Sequence, residues 1–159
     1  MKKKQKELAA EDLLGAAAFS LSHFLEEGLT LKEAARRLWQ EHERHARSVG
    51  LPSQLIMLLR DGVIECSTAA CQNIFGAEIC GQAFLQRITA LSGDAMAQRA
   101  KDKADGKIPA RKLKLDFVRH DGGTFSADMS VAEIYSEKGA FALALLSLHN
   151  DTVLAGGGR

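Results

Sequence analysis

The stretch KLKLDFVRHDGGTFSADMSV, residues 112–131, decides the fold. Leu113, Leu115 and Phe117 alternate with Lys112, Lys114 and Asp116, a period of two that places the apolar side chains on one face of an extended strand. Asp121-Gly122-Gly123 then supplies a hairpin turn, and Phe125, Ala127, Met129 and Val131 alternate with Ser126, Asp128 and Ser130 on the return. A helical period of 3.6 would scatter both apolar sets around the axis, so the stretch reads as an antiparallel hairpin with one buried face.

Toward the C-terminus, a second turn at Ser136 to Gly139 leads into Phe141 to His149, which is apolar on both faces. A strand of that kind belongs in the middle of a sheet packed on both sides. Toward the N-terminus, Ser92 to Ala104 reads as a helix, with Ser92 as its N-cap and Asp105-Gly106 as its stop. Glu78 to Thr89 predicts one or two short helices around Gly81, and Thr68 to Phe75 a further short helix stopped by Gly76. Leu55 to Leu59, Arg60-Asp61-Gly62 and Val63 to Cys66 form a run, a turn signal and a second run, hence another β-hairpin.

Before Pro52 the period is helical. Leu14, Ala17, Ala18, Leu21, Phe24 and Leu25 share one face of a helix expected from about Glu7 to Glu27, ended by Gly28. Thr30-Leu31-Lys32-Glu33 is a capping box that opens a second helix reaching about Ser48, with Leu31, Ala34, Ala35, Leu38, Trp39 and Ala46 on its apolar face. Two such helices cannot bury both stripes against each other alone. The pair is expected to dock on the following domain, on a second copy, or on a partner.

The chain has 159 residues, 46% of them apolar and 26% charged, an ordinary globular balance that supports a core without disulfides or metal. Its 21 Lys and Arg against 20 Asp and Glu leave a net charge of +1, so no global field draws it to nucleic acid or an anionic membrane. Its longest apolar runs, Leu13 to Phe19 and Gly139 to Leu148, fall short of the roughly 20 residues of a spanning helix. Met1-Lys2-Lys3-Lys4 is followed by Lys6, Glu7, Glu11 and Asp12 rather than an apolar segment, which argues against a signal peptide and for a cytoplasmic protein. Cys66, Cys71 and Cys80 lack C-x-x-C spacing and are odd in number; they read as free thiols, either small buried hydrophobes or a redox sensor.

Two strands, several short helices and three long antiparallel strands define an α+β domain in which the helices fold over one face of a five-stranded sheet. A concave sheet face capped by helices is a common geometry for a small-ligand pocket. Several phrases in order carry a resemblance: Asp61-Gly62-Val63-Ile64, Asn73-Ile74-Phe75-Gly76, Glu78-Ile79-Cys80-Gly81-Gln82, Arg119-His120-Asp121-Gly122-Gly123-Thr124-Phe125 and Leu148-His149-Asn150-Asp151-Thr152. Residues 54–152 resemble a PAS domain, a sensory and interaction module. The resemblance implies a five-stranded antiparallel sheet, a ligand or cofactor pocket, dimerisation through a flanking N-terminal helix, and signal transfer through the closing strand. The expected organisation is a helical hairpin over 1–50, a PAS-like domain over 54–152 and a Gly-rich flexible tail over 153–159.

Specific chemistries were weighed against the residues. Gly81-Gln82-Ala83-Phe84-Leu85-Gln86 keeps the Phe-Leu-Gln of the light-sensing flavin motif G-x-N-C-R-F-L-Q but lacks its Asn-Cys-Arg. Cys80 precedes the glycine, at what aligns with an apolar core position, so a flavin–thiol adduct has no donor. The helix Ser92 to Ala104 holds no histidine, and His120 and His149 read as exposed, which disfavours haem. Glu41, His42 and His45 have ligand spacing on one helix, but read as a charged outer face with Glu43 and Arg44 rather than a metal site. Helix-turn-helix geometry is absent, since Trp39 to Glu43 continues the second helix, and the seven basic residues between Arg99 and Lys114 read as a solvated face; nucleic acid is disfavoured. No G-x-S-x-G, H-E-x-x-H or P-loop occurs, so no enzymatic activity is expected.

The expectation is thus a cytoplasmic sensory module without a catalytic or metal site, acting as a homodimer or on a downstream regulator protein, as a separate chain or as a piece of a larger regulator. The cofactor is left open. Phe75, Phe84, Leu85, Ile88, Leu115, Phe117, Met129 and Leu145 are the residues expected either to line a pocket for a small apolar ligand or simply to fill the core. Phe24, Leu38 and Trp39 are expected at a dimer or partner interface. The alternative is a non-liganded interaction adaptor, or the N-terminal regulatory part of a transcriptional regulator.

Overall fold

A computed structural model describes residues 2–48, 50, 54–108, 112–137 and 139–148. The closing phrase beyond Leu148, the expected 153–159 tail, His149 and Pro52 lie outside these residues. The elements in order are α1 (Lys2–Glu26), α2 (Leu31–Ser48), β1 (Leu55–Arg60), β2 (Val63–Ser67), α3 (Ala69–Phe75), a 3₁₀ turn (Phe84–Arg87), α4 (Ala90–Ala104), β3 (Lys112–Val118), β4 (Thr124–Ser136) and β5 (Gly139–Leu148). The five strands form one antiparallel sheet in the order β2-β1-β5-β4-β3. The doubly apolar strand β5 lies in the centre, between β1 and β4.

Local chemistry sets the joints. The β1–β2 turn is two residues long, and Asp61 (φ 53°) and Gly62 (φ 77°) both take left-handed backbone, the geometry that matches the twist of a tight hairpin. At the start of α2 the Thr30 amide donates to Glu33 Oε1 at 2.9 Å and the Glu33 amide donates to Thr30 Oγ1 at 3.2 Å, the reciprocal pair expected of the capping box. Thr68 ties the entry of α3 to β1: its hydroxyl donates to the Gln54 carbonyl at 2.9 Å and accepts from the Ile56 amide at 3.3 Å.

The start of α4 departs from expectation. The helix begins at Ala90, and its N-cap is Thr89, whose hydroxyl accepts from the Ser92 amide. Ser92, expected as the cap, is instead buried in the first turn, and its Oγ accepts from the Asp116 amide at 2.7 Å. Thr89 donates its own amide to the Asp116 carbonyl at 3.0 Å, so the loop and helix start are stitched to β3. The short helices expected between Glu78 and Thr89 reduce to the single 3₁₀ turn.

The sheet separates two cores. On its inner face Leu55, Met57, Ile64, Phe75, Ile79, Phe84, Ile88, Leu115, Phe117, Phe125, Ala127 and Met129 pack beneath α3, the 3₁₀ turn and the start of α4. On its outer face Ile56, Leu58, Ile134, Phe141, Leu143 and Leu145 pack against Leu14, Ala17, Leu21, Phe24 and Leu25 of α1 and Ala34, Ala35 and Leu38 of α2. The helical hairpin therefore docks on the sheet that follows it in the chain, one of the three placements its two stripes required. The helices that follow the first β-hairpin cover one face of the sheet, as expected, and the N-terminal helical hairpin covers the other.

A β-bulge lets β2 serve both cores. Leu58 pairs with Cys66 while Leu59 pairs with Ile64, which leaves Glu65 as the extra residue. Ile64 consequently joins the inner core and Cys66 packs toward the outer one.

Candidate functional site

A groove of about 630 Å³ opens between α4 and the inner face of the sheet. Its roof is one face of α4, where Gly93, Met96, Ala97, Ala100 and Lys103 recur at helical steps of three and four. Its floor is Met129, Val131 and Glu133 of β4 with Ala140 and Ala142 of β5. The β1–β2 turn, with Leu59 and Val63, and the segment Ala83-Phe84-Leu85 close one end.

The space exists because facing side chains are small. β5 alternates strictly: Ala140, Ala142 and Ala144 point inward, and Phe141, Leu143 and Leu145 carry the bulk of the outer core. Gly93, Ala97 and Ala100 do the same on the roof. Where these Gly and Ala positions face one another, close packing is not reached and an apolar hollow is left.

The mouth is charged. Lys103 of α4 donates to both carboxylate oxygens of Glu133 on β4, joining roof to floor. The Tyr135 hydroxyl donates to Glu133 Oε1 at 3.3 Å. The Lys103 hydrogen bond leads in holding the Glu133 carboxyl below its ordinary range, with the charge of Arg99, also at the mouth, adding to it. An apolar hollow whose lining also carries Arg99 and Lys103 beside Asp61 and Glu133 suits a molecule with a hydrocarbon or aromatic body and a charged or polar end.

The sequence-expected residues divide. Phe84, Leu85 and Met129 line the groove, and Leu85 is 61% exposed at its rim. Phe75, Ile88, Leu115 and Phe117 do not line it; they are buried in the inner core. There Phe117 stacks on Phe125 with centroids 5.5 Å apart and meets Phe75 and Phe84 edge-on at 5.9 and 6.1 Å. Leu145 lies on the opposite face, beneath the hairpin, because its odd register on β5 points it away from α4. Met96, Ala97, Val131 and Ala142 were missed. The alternation of Ala with Leu and Phe along 140–145 was the legible signal for the last of these.

Phe24 and Leu38, expected at an intermolecular interface, are buried within the chain, and Trp39 is half-buried against the same outer core. The two helices spend their apolar stripes on the sheet. A large apolar residue of α1 that remains outside is Phe19, 76% exposed.

Other expected features also shift. His42 is not on a charged outer face. It is buried near Ala16, Ala17 and Ser20 of α1, burial lowers its pKa, and the neighbouring His45 adds to that. Cys80, expected at a core position, is exposed; the preceding Ile79 fills the core instead. His120 is exposed. Among the described residues no group of three or more His, Cys, Asp or Glu is arranged to hold a metal ion, and no helix is long and apolar enough to cross a membrane.

A second cleft, of about 670 Å³, lies between α1 and the β4–β5 turn. Among the described residues Ser22, Leu25, Glu26, Tyr135, Ser136 and Glu137 line it.

Comparison with known structures places this geometry. The chain is similar to the PAS domain of a protein from Desulfitobacterium hafniense, at 14% identity over 65% of this chain and 99% of that one, with a TM-score of 0.50. It is also similar to the PAS domain of an HTR-like protein from Haloarcula marismortui (19% identity, 74% of this chain and 99% of that one, TM-score 0.49). A third is the PAS domain of nitrogen regulation protein NR(II) from Vibrio parahaemolyticus (16% identity, 60% of this chain and 89% of that one, TM-score 0.41). No family model matches the chain, and no curated protein does. Strand order, element order and the first of these likenesses agree: the fold is that of a PAS-like domain.

Proposed function

We propose that the chain is a sensory module that binds a small amphipathic molecule in the groove beneath α4 and passes the event through the sheet to the α1–α2 hairpin. The observation that carries this reading is the groove itself, walled by Gly and Ala on α4 and β5 and capped by Arg99 and Lys103. The apolar body of the ligand would cover Met96, Val131 and Met129, and its acidic end would compete with Glu133 for Lys103.

The route to the hairpin follows from strand alternation. On β4, Met129, Val131 and Glu133 line the groove, while Ala132 and Ile134 touch the outer core beneath α1. A guest that presses on the inner residues moves the strand they share with the outer ones. The ligand then shifts the population of hairpin positions by its differential affinity for them.

The test uses the full chain and 8-anilinonaphthalene-1-sulfonate, an aromatic sulfonate of the proposed chemistry. Fluorescence titration is expected to show saturable binding that Ala97→Trp, which fills the groove, weakens by about tenfold or more, roughly 1.4 kcal/mol. Binding left unchanged by Ala97→Trp would sink the reading.

A second role, contact with a second copy of the chain, has Phe19, a large apolar residue exposed on the outside of α1, as its probe. Sedimentation of Phe19→Asp beside the unaltered chain tests it: loss of a self-associated species supports the role, and identical behaviour removes it.

A further inference from the structure

Two of the three thiols lie at one end of a short ladder that closes the groove. The segment after α3 runs antiparallel to β2. The Phe84 amide donates to the Gly62 carbonyl at 2.8 Å, the Ile64 amide to the Gln82 carbonyl at 2.9 Å, and the Gly81 amide to the Ile64 carbonyl at 2.6 Å. Val63 pairs with Ala83 between them. Residue numbers fall on one segment as they rise on the other, so one step past the last bond brings Cys80 opposite Glu65, the bulged residue next to Cys66. Facing positions on antiparallel segments have Cα atoms about 4.5–5.5 Å apart, and Cys66, one residue beyond the facing position, stays near the roughly 4.4–6.8 Å that a disulfide spans; Cys80 also acts electrostatically on both Cys66 and the deeper Cys71.

The bulge also sets the facing. It turns Cys66 out of the inner core, while the burial of Ile79 turns Cys80 to solvent. Cys66 is half-buried and Cys80 exposed, and both are free. Burial is the leading cause that raises the Cys66 thiol, the nearby Cys80 adds to the rise, and Lys32 of α2 opposes it. Cys71 is differently placed. It is fully buried, its thiol donates to the Ile56 carbonyl at 3.6 Å, and burial pushes its pKa up to about 12.

We infer that Cys80 and Cys66 form a reversible intramolecular disulfide when the protein meets a peroxide. Cys80, the accessible sulfur, attacks one peroxide oxygen; the O–O bond breaks, one water leaves and Cys80 becomes a sulfenic acid. The Cys66 sulfur then attacks the Cys80 sulfur, the S–O bond breaks and a second water leaves with the Cys66 proton. Two thiols and one hydrogen peroxide become one disulfide and two waters. The bond cross-links β2 to the segment that carries Ala83, Phe84 and Leu85 of the groove wall. It also draws Cys66 from the cluster beneath the hairpin, and so touches both surfaces of the module.

The experiment treats the full chain with hydrogen peroxide, alkylates the remaining thiols and maps peptides by mass spectrometry without reduction. The expected result is a 66–80 linked peptide that disappears on dithiothreitol treatment, forms equally in Cys71→Ser and is lost in Cys80→Ser. The inference is overturned by Cys80 recovered as sulfinic or sulfonic acid with Cys66 alkylated. It is equally overturned by Cys80 linked to Cys71, or to Cys80 of a second chain.

Discussion

At the start of α4, Thr89 and Ser92 divide two tasks that the sequence presents as one. Both are hydroxyl residues suited to an N-cap; the structure gives the cap to Thr89 and uses Ser92 Oγ to accept the Asp116 amide of β3. Thr89→Ala is expected to lower stability by about 1 kcal/mol, read from the urea midpoint, and Thr89→Ser to restore most of it. Asp121 offers a pH-dependent prediction. The Arg119 guanidinium, and then the Gly123 amide at 2.8 Å, hold its carboxyl down to about 2. A carboxyl lowered on folding adds stability above its unfolded pKa and loses that contribution as pH falls toward its folded value. The β3–β4 turn should therefore keep its geometry down to the ordinary carboxylate range and loosen only as pH approaches 2. Amide NMR shifts of Gly122 and Gly123 check this; Asp121→Asn is expected to abolish the titration.

At the scale of elements, the alternating strands and capped helices were legible because each reports its own local physics. A period of two marked β3 and β4, and a reciprocal Thr–Glu pair marked the start of α2. The 3₁₀ turn was legible only as one or two short helices over 78–89, because its start is fixed by the bond from the Phe84 amide to the Gly62 carbonyl of the β1–β2 turn, far back in the chain, and not by a helical period of its own. The bulge at Glu65 escaped for the same reason: pairing across two strands defines it. The β1–β2 turn shows a local rule at work, with Asp61 at φ 53°, a conformation open to Asp but strained for a β-branched side chain. Asp61→Val is expected to cost roughly 1–2 kcal/mol in thermal or urea unfolding, while Asp61→Gly costs nothing or stabilises.

For the whole molecule, the decisive arrangement is one sheet with a core on each side. Leu145 belongs to the outer core and Met129 to the inner one, although both are apolar residues on neighbouring central strands. Leu145→Ala is therefore expected to destabilise by roughly 2–5 kcal/mol, through lost contact with the hairpin, without weakening binding in the groove. Urea unfolding and dye titration on the same protein check both halves. Were Leu145 in the groove, binding would fall along with stability.

The amino-acid order by itself determined the strands, the longer helices, the capping box of α2 and the central place of β5, since period, turn residues and two-sided hydrophobicity act over a few residues. It also left Ala140, Ala142 and Ala144 in plain view as the small side of a large-and-small strand. Only the tertiary structure decided that the helical hairpin covers the outer face, that Phe24 and Leu38 are spent there, and that the hollow lies under Met96 and Ala97 rather than among the phenylalanines. A hollow is a difference between facing surfaces. No single segment carries that difference; it arises when two walls of small side chains are brought opposite one another.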